Sequence, residues 1–140
     1  MNIAFLLLPK QDVAYVFESF TVRQALEKMK YHGYQSIPML NKEGKYVGTI
    51  SEGDLLWAIL DWQREGTVDL EKRSLADVPL RTQHEAVSVY DDVQTVLDRS
   101  VDQNFISVKD DAGFFIGIIR RKDIIEFLTK QVDTKQPNVS

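Results

Sequence analysis

The chain has 140 residues, 44% hydrophobic and 27% charged, the composition of an ordinary soluble globular fold of one compact unit or two very small ones. A net charge of −4 without any basic stripe argues against nucleic-acid binding, and the lack of cysteine excludes disulfides and thiolate chemistry and fits a reducing compartment. No apolar stretch approaches the ~18 residues of a membrane span.

The N-terminal "MNIAFLLLPKQD" has an apolar run only from Ile3 to Leu8, with no basic residue before it and no small-residue cleavage site after it. It does not read as a secretory signal, and a cytoplasmic protein is expected. "VAYVF" (13–17) is a short β-rich run. "TVRQALEKMKYHG" (21–33) spaces Val22, Ala25, Leu26 and Met29 at helical intervals and ends on glycine. "SIPML" (36–40) and "KYVGTI" (45–50) read as strands joined by the hairpin signal "NKEG". A helix over 52–65 closes the unit. A connection at 67–79, expected to hold a short helix, leads to the same β-α-β-β-α order in 87–89, 93–100, 105–108, 114–119 and 121–130.

The two halves are repeats. "GKYVGTISEGDLL" (44–56) overlies "GFFIGIIRRKDII" (113–125) at a constant offset of 69 (Gly44 to Gly113), matching Gly44, Gly48 and Asp54 to Gly113, Gly117 and Asp123. "VRQAL" overlies "VQTVL" at 71 (Val22 to Val93). The expectation is an α/β (α+β) fold, with repeat one at 1–66, a connecting segment at 67–79, repeat two at 80–130 and a flexible tail at 131–140. Neither half can bury its sheet face alone, so the repeats should pack about a pseudo-two-fold axis.

Ser51 and Asp54 raise two readings. S-x-x-D before an apolar helix is a capping box, worth about 1 kcal/mol. It also places a hydroxyl and a carboxylate at a helix N-terminus behind a glycine turn, where an anion could bind. Gly53 in the first turn costs roughly 0.8–1 kcal/mol against alanine, which a close-lying ligand would explain. Repeat two keeps Asp123 although Arg120 has replaced the serine and cannot accept a capping bond.

These residues carry a resemblance. Two tandem β-α-β-β-α units with "GYQSIPMLNKEGKYVGTISEGDLL" resemble a CBS domain pair, or Bateman module, over roughly residues 1–130. The resemblance implies a stand-alone, non-catalytic regulatory module that binds an adenine nucleotide (AMP, ADP or ATP) between the repeats and signals to a regulated partner. The family motif falls on Gly48–Asp54, with Ser51 at phosphate and Asp54 at the ribose hydroxyls. Adenine would lie against main chain at Val13, Ala14 and Tyr15 and at Tyr34, Gln35, Ser36 and Ile37. One competent site, built mainly from repeat one, is expected, because Arg120 replaces the Ser/Thr and Glu85 stands where repeat one has Ala14. Pseudo-symmetry is expected to bring Arg120 or Arg121 near that site as a phosphate ligand, one of the two only, since neighbours on a strand point oppositely. Lys10 is a weaker candidate. The paired arginine also resembles small CBS pairs that bind cyclic di-AMP, the alternative ligand of the same fold.

His32 and His84 have no metal-ligand partners at useful spacing and read as surface histidines. Asp91 and Asp92 read as a helix start, Asp110 and Asp111 as a hairpin turn. No nucleophile–base set, P-loop, Rossmann fingerprint or zinc motif is present, so no catalytic or metal residue is expected. Helix 54–62 is apolar all round, with Leu55, Ala58, Ile59 and Trp62 on one face and Leu56, Trp57 and Leu60 on another. That second face predicts either a homodimer or cover from Phe5–Leu8 or the connection, and a nucleotide-free interaction module that uses this helix is the alternative of another class.

Overall fold

The computed structural model describes residues 2–66 and 68–135. Repeat one is β2 (Val16–Phe17), α1 (Val22–His32), β3 (Ser36–Leu40), β4 (Tyr46–Ser51) and α2 (Glu52–Glu65). Repeat two is β5 (Val87–Ser88), α3 (Val93–Ser100), β6 (Phe105–Lys109), β7 (Phe115–Arg120) and α4 (Arg121–Lys135). One further strand, β1 (Leu8–Pro9), precedes them. The helix at 121 runs to Lys135, beyond its expected end at 130, and the rest of the expected tail lies outside the described residues.

Local chemistry explains the boundaries. Thr21 and Gln24 exchange a capping box at the start of α1, and Gly33 ends it in the left-handed region at φ 70°. The two hairpins turn the same way. The Asn41 side chain accepts from the Glu43 and Lys45 amides, and Asp110 accepts from those of Ala112 and Phe114. Asp92 caps α3 through the Thr95 amide, as its position suggested.

Each repeat forms its own sheet. In the first, β2 runs parallel to β3 and β3 antiparallel to β4; in the second, β5, β6 and β7 repeat that order. The sheets meet along a pseudo-two-fold seam. Tyr46 N–H donates to the Gly113 carbonyl at 3.2 Å and Phe115 N–H to the Gly44 carbonyl at 3.0 Å, a reciprocal pair at the offset of the repeat. Val13, Leu40, Phe115 and Ile118 form a shared core beneath it.

The segment preceding each repeat packs on the other repeat. Residues 2–9, counted with repeat one from sequence, lie on the second sheet: β1 pairs antiparallel with β7, and Ile3 and Leu6 are buried with Val87, Val96 and Ile106. Residues 74–80, which precede repeat two, lie along repeat one, with Leu75 and Val78 buried in its core. The correspondence is close. Asn2 bridges to Asp92 as Ser74 bridges to Thr21, and each opens a short 3-10 turn, Ile3–Leu6 and Leu75–Asp77. A Cβ on Gly117 would lie 2.2 Å from the Leu8 carbonyl oxygen, and one on Gly48 2.7 Å from Leu80. The crossing backbone requires glycine at 117, whereas at 48 the tip of the Leu80 side chain would have to move aside.

Candidate functional site

The interlocked segments create two clefts between the repeats, each combining the strand-to-helix turn of one repeat with the entering segment of the other. The first has a volume of about 700 Å3 and sets Ser51, Gly53 and Asp54 against Arg81, Thr82 and His84. The second, of about 440 Å3, sets Val13, Ala14 and Tyr34 against Arg120, Arg121 and Lys122. Gln35, Ser36, Asn104 and Phe105 line both, as pseudo-symmetry demands. Both volumes lie in the roughly 300–1,000 Å3 range of small-molecule sites.

The single site expected from sequence is therefore divided. Ser51 and Asp54 occupy the first cleft, and Val13, Ala14 and Tyr34 the second. The reason is strand order: β3 lies between β2 and β4, so the approach to β2 sits two strand spacings, roughly 10 Å, from the end of β4. Tyr15 and Ile37 line neither cleft. Ile37 is fully buried in the first core, and the Tyr15 ring packs among Phe17 and Phe115. Several main-chain groups proposed for adenine are already engaged. Val13 N–H donates to the Lys10 carbonyl and Tyr34 N–H to Met29, while the carbonyls of Tyr15 and Gln35 accept from Lys28 and Glu52.

In the first cleft the capping box is fully formed. Ser51 Oγ accepts from the Asp54 amide at 3.1 Å, and Asp54 Oδ2 accepts from the Ser51 amide at 2.9 Å. The other oxygen, Oδ1, accepts from the Arg81 amide at 3.0 Å. Asp54 is 5% exposed and has both oxygens committed to backbone of two different segments. It fastens the start of α2 to the entry of repeat two. Gly53 has ordinary room for a Cβ, whose nearest neighbour would be Arg81 Nη1 at 3.5 Å, so the structure gives no reason for glycine there.

Arg81 is the cation of this cleft, and the sequence reading missed it. Its guanidinium lies 5.5 Å over the Trp57 ring. The signal was present, because the offset of 71 carries Lys10 onto Arg81. His84, read as a surface residue, is half-buried in the cleft wall, and its carbonyl accepts from the buried Tyr46 hydroxyl. Burial raises the Tyr46 phenol above its usual value, partly opposed by its hydrogen bond with Thr49.

The second cleft has the opposite electrostatics. Its walls are apolar where Val13, Ala14, Pro38 and Ile118 meet, its far side carries three cations, and no carboxylate is among its described lining residues. Both arginines line it, where strand alternation predicted one, because Arg121 is already the first residue of α4. They line the second cleft whereas Ser51 lines the first, so the expected grouping with Ser51 is not found. Arg120 forms a forked pair with Asp123, Nε to Oδ2 at 2.7 Å and Nη2 to Oδ1 at 3.2 Å. Arg121 donates to the carbonyls of Ser100 and Val101 at the end of α3. Asp123, matched by repeat to Asp54, thus holds an arginine where Asp54 holds two amides. Among the described residues no group of acidic and histidine side chains could hold a metal ion.

This architecture has known counterparts. Residues 7–61 match the model of the CBS domain, so the chain carries a CBS domain in its first half. Its whole fold is that of a CBS pair. A hypothetical conserved protein from Geobacillus kaustophilus superimposes with a TM-score of 0.82 at 29% identity, covering 94% of this chain and 98% of that one. The CbpB protein of Listeria monocytogenes in complex with c-di-AMP gives a TM-score of 0.79 at 25% identity, over 95% of this chain and 98% of that one. An uncharacterized protein of Methanopyrus kandleri is 26% identical over 117 residues, 84% of this chain. The chain spans 58% of the length of that curated relative. No helix among the described residues is long and apolar enough to cross a membrane.

Proposed function

We propose that this chain is a non-catalytic regulatory module of the cytoplasm that binds an adenine nucleotide in the second cleft and passes the signal to a regulated partner protein. One observation carries the reading: an apolar wall from repeat one and three cations from repeat two converge on one cleft of about 440 Å3. The purine would be held between Val13, Ala14 and Ile118, and its phosphate by Arg120, Arg121 and Lys122. Because the walls belong to different repeats, a ligand bridging them favours one arrangement of the repeats over others. The outer face of α2, with Leu56 54% and Trp57 49% exposed, is the proposed homodimer surface through which that arrangement is read. Phe5–Leu8 leave it uncovered, since they pack on the second sheet.

A second reading, cyclic di-AMP, is favoured by the Arg120–Asp123 pair. With Asp123 engaged, the cleft offers cations and no free carboxylate for a ribose diol, which suits a ligand lacking a free 3′-hydroxyl. The CbpB complex with c-di-AMP supports the same direction. Thermal shift with AMP, ADP, ATP and cyclic di-AMP tests both. A ligand at 100 times its Kd adds about 2.7 kcal/mol of stability, and no shift with any of the four overturns the proposal. A shift with cyclic di-AMP that Arg120→Ala abolishes selects the second reading.

A further inference from the structure

We infer that Asp123 is a positioning residue for phosphate recognition: it holds the Arg120 guanidinium at the second cleft and makes no contact with the sugar. The inference rests on the nucleotide reading of that cleft. Asp123 occupies the motif position that repeat one fills with Asp54, so motif alone would assign it to ribose hydroxyls. The geometry points elsewhere. Arg120 lines the second cleft, whereas Asp123 does not; Asp123 lines a separate hollow of about 350 Å3 with Phe5–Leu8, which Arg120 reaches as well. Its two oxygens take Nε and Nη2, the pair of donors a carboxylate grips as a fork. That grip leaves Nη1 of the same planar group to turn toward an anion.

The cost of leaving Arg120 free explains why a partner is needed. Its side chain is 38% exposed and has several rotatable bonds, so an unheld guanidinium would lose conformational entropy on each binding event. A carboxylate that fixes it in the empty protein removes much of that loss. The pair also has a charge consequence. Asp123 offsets Arg120 formally, and Arg121 is directed at the α3 carbonyls, so Lys122 supplies the least committed positive charge at the rim.

A double-mutant cycle with ribose-modified probes decides the matter. Kd values for AMP, 2′,3′-dideoxyadenosine monophosphate and cyclic di-AMP are measured by calorimetry for wild type, Arg120→Ala, Asp123→Ala, Asp123→Asn and the double alanine variant. For the probe that wild type binds most tightly, each single alanine change is expected to weaken binding roughly 10- to 100-fold, with the double variant no weaker than the worse single. Wild type and Asp123→Asn are both expected to bind AMP and its dideoxy form within about threefold of each other. Additive losses in the double variant, or unchanged binding in Asp123→Ala, overturn the inference. So does a wild-type preference for AMP over the dideoxy probe that Asp123→Asn erases. Asp123→Asn keeps the side-chain shape and an acceptor, so it covers the case in which the alanine variant fails to fold. If wild type binds none of the probes, the nucleotide reading itself fails, and the inference with it.

Discussion

Replacing Asp54 by alanine separates its two possible roles. In the structure its carboxylate, 5% exposed, accepts from the amides of Ser51 and Arg81. Losing the cap removes about 1 kcal/mol, and losing the part-buried bond from the Arg81 amide to a charged group costs about 1.5–3 kcal/mol more. Removing an ion from a buried site recovers part of this, which leaves a net loss of about 2–4 kcal/mol. For 140 residues the entropy of unfolding is about 0.3 kcal/mol/K, so Tm should fall by roughly 7–14 °C. The assay is thermal unfolding by circular dichroism with and without nucleotide. Because Asp54 faces the first cleft, the ligand-induced shift should persist in Asp54→Ala. An unchanged Tm together with a lost nucleotide response would refute the reasoning and restore Asp54 as a ribose contact.

Four further outcomes are expected. Gly117→Ala drives a Cβ into the Leu8 carbonyl at a residue with φ 152°, and should lower stability by about 3–5 kcal/mol in urea unfolding; a loss below about 1 kcal/mol would mean that β1 does not lie on β7. Gly53→Ala meets only ordinary contacts and should raise stability by up to about 1 kcal/mol in the same assay. Tyr46 has its folded value raised by burial, so the unfolded chain loses this proton first. Stability from this group is therefore complete below pH of about 10 and declines as pH rises through the folded value, which Tyr46→Phe should flatten in a pH series of melting temperatures. Trp57→Glu with Leu60→Glu, both on the exposed face of α2, should yield monomers in sedimentation equilibrium if that face joins two copies.

Much of the fold was legible because repetition and local signals agreed. Thr21, Gln24 and Gly33 delimit one helix by capping chemistry alone, and Asn41 and Asp110 mark equivalent turns. The outward apolar face of α2 also followed from periodicity, with Leu55 1% and Ala58 4% exposed on the inner face. What periodicity could not reveal was which sheet an entering segment joins. "FLLLP" and "LADVPL" are short and apolar in either setting, and nothing in their local pattern distinguishes the near core from the far one. The exchange was legible only at Gly48 and Gly117, whose missing side chains mark where another segment crosses.

That exchange decides the chemistry. Strand order within repeat one sets Ser51 and Asp54 in one cleft and Val13 and Tyr34 in the other, and each cleft is completed by residues of the second repeat. With the entering segments exchanged, Ser51 and Asp54 of repeat one serve as a cap and a strut, while the departure from the motif in repeat two supplies an arginine. Where repeat one has Ser51, repeat two has Arg120, and Asp123 pairs with that arginine where Asp54 accepts from two amides. The charge difference between the clefts follows from the same residues: Glu52, Asp54 and Asp102 with Arg81 alone against them line the first, and Arg120, Arg121 and Lys122 the second. An anionic ligand therefore meets opposing fields in two clefts that share the wall at Gln35, Ser36, Asn104 and Phe105. The two clefts share that wall, and residues 2–9 and 74–80 each pack on the other repeat, so any rearrangement of the repeats moves both clefts together.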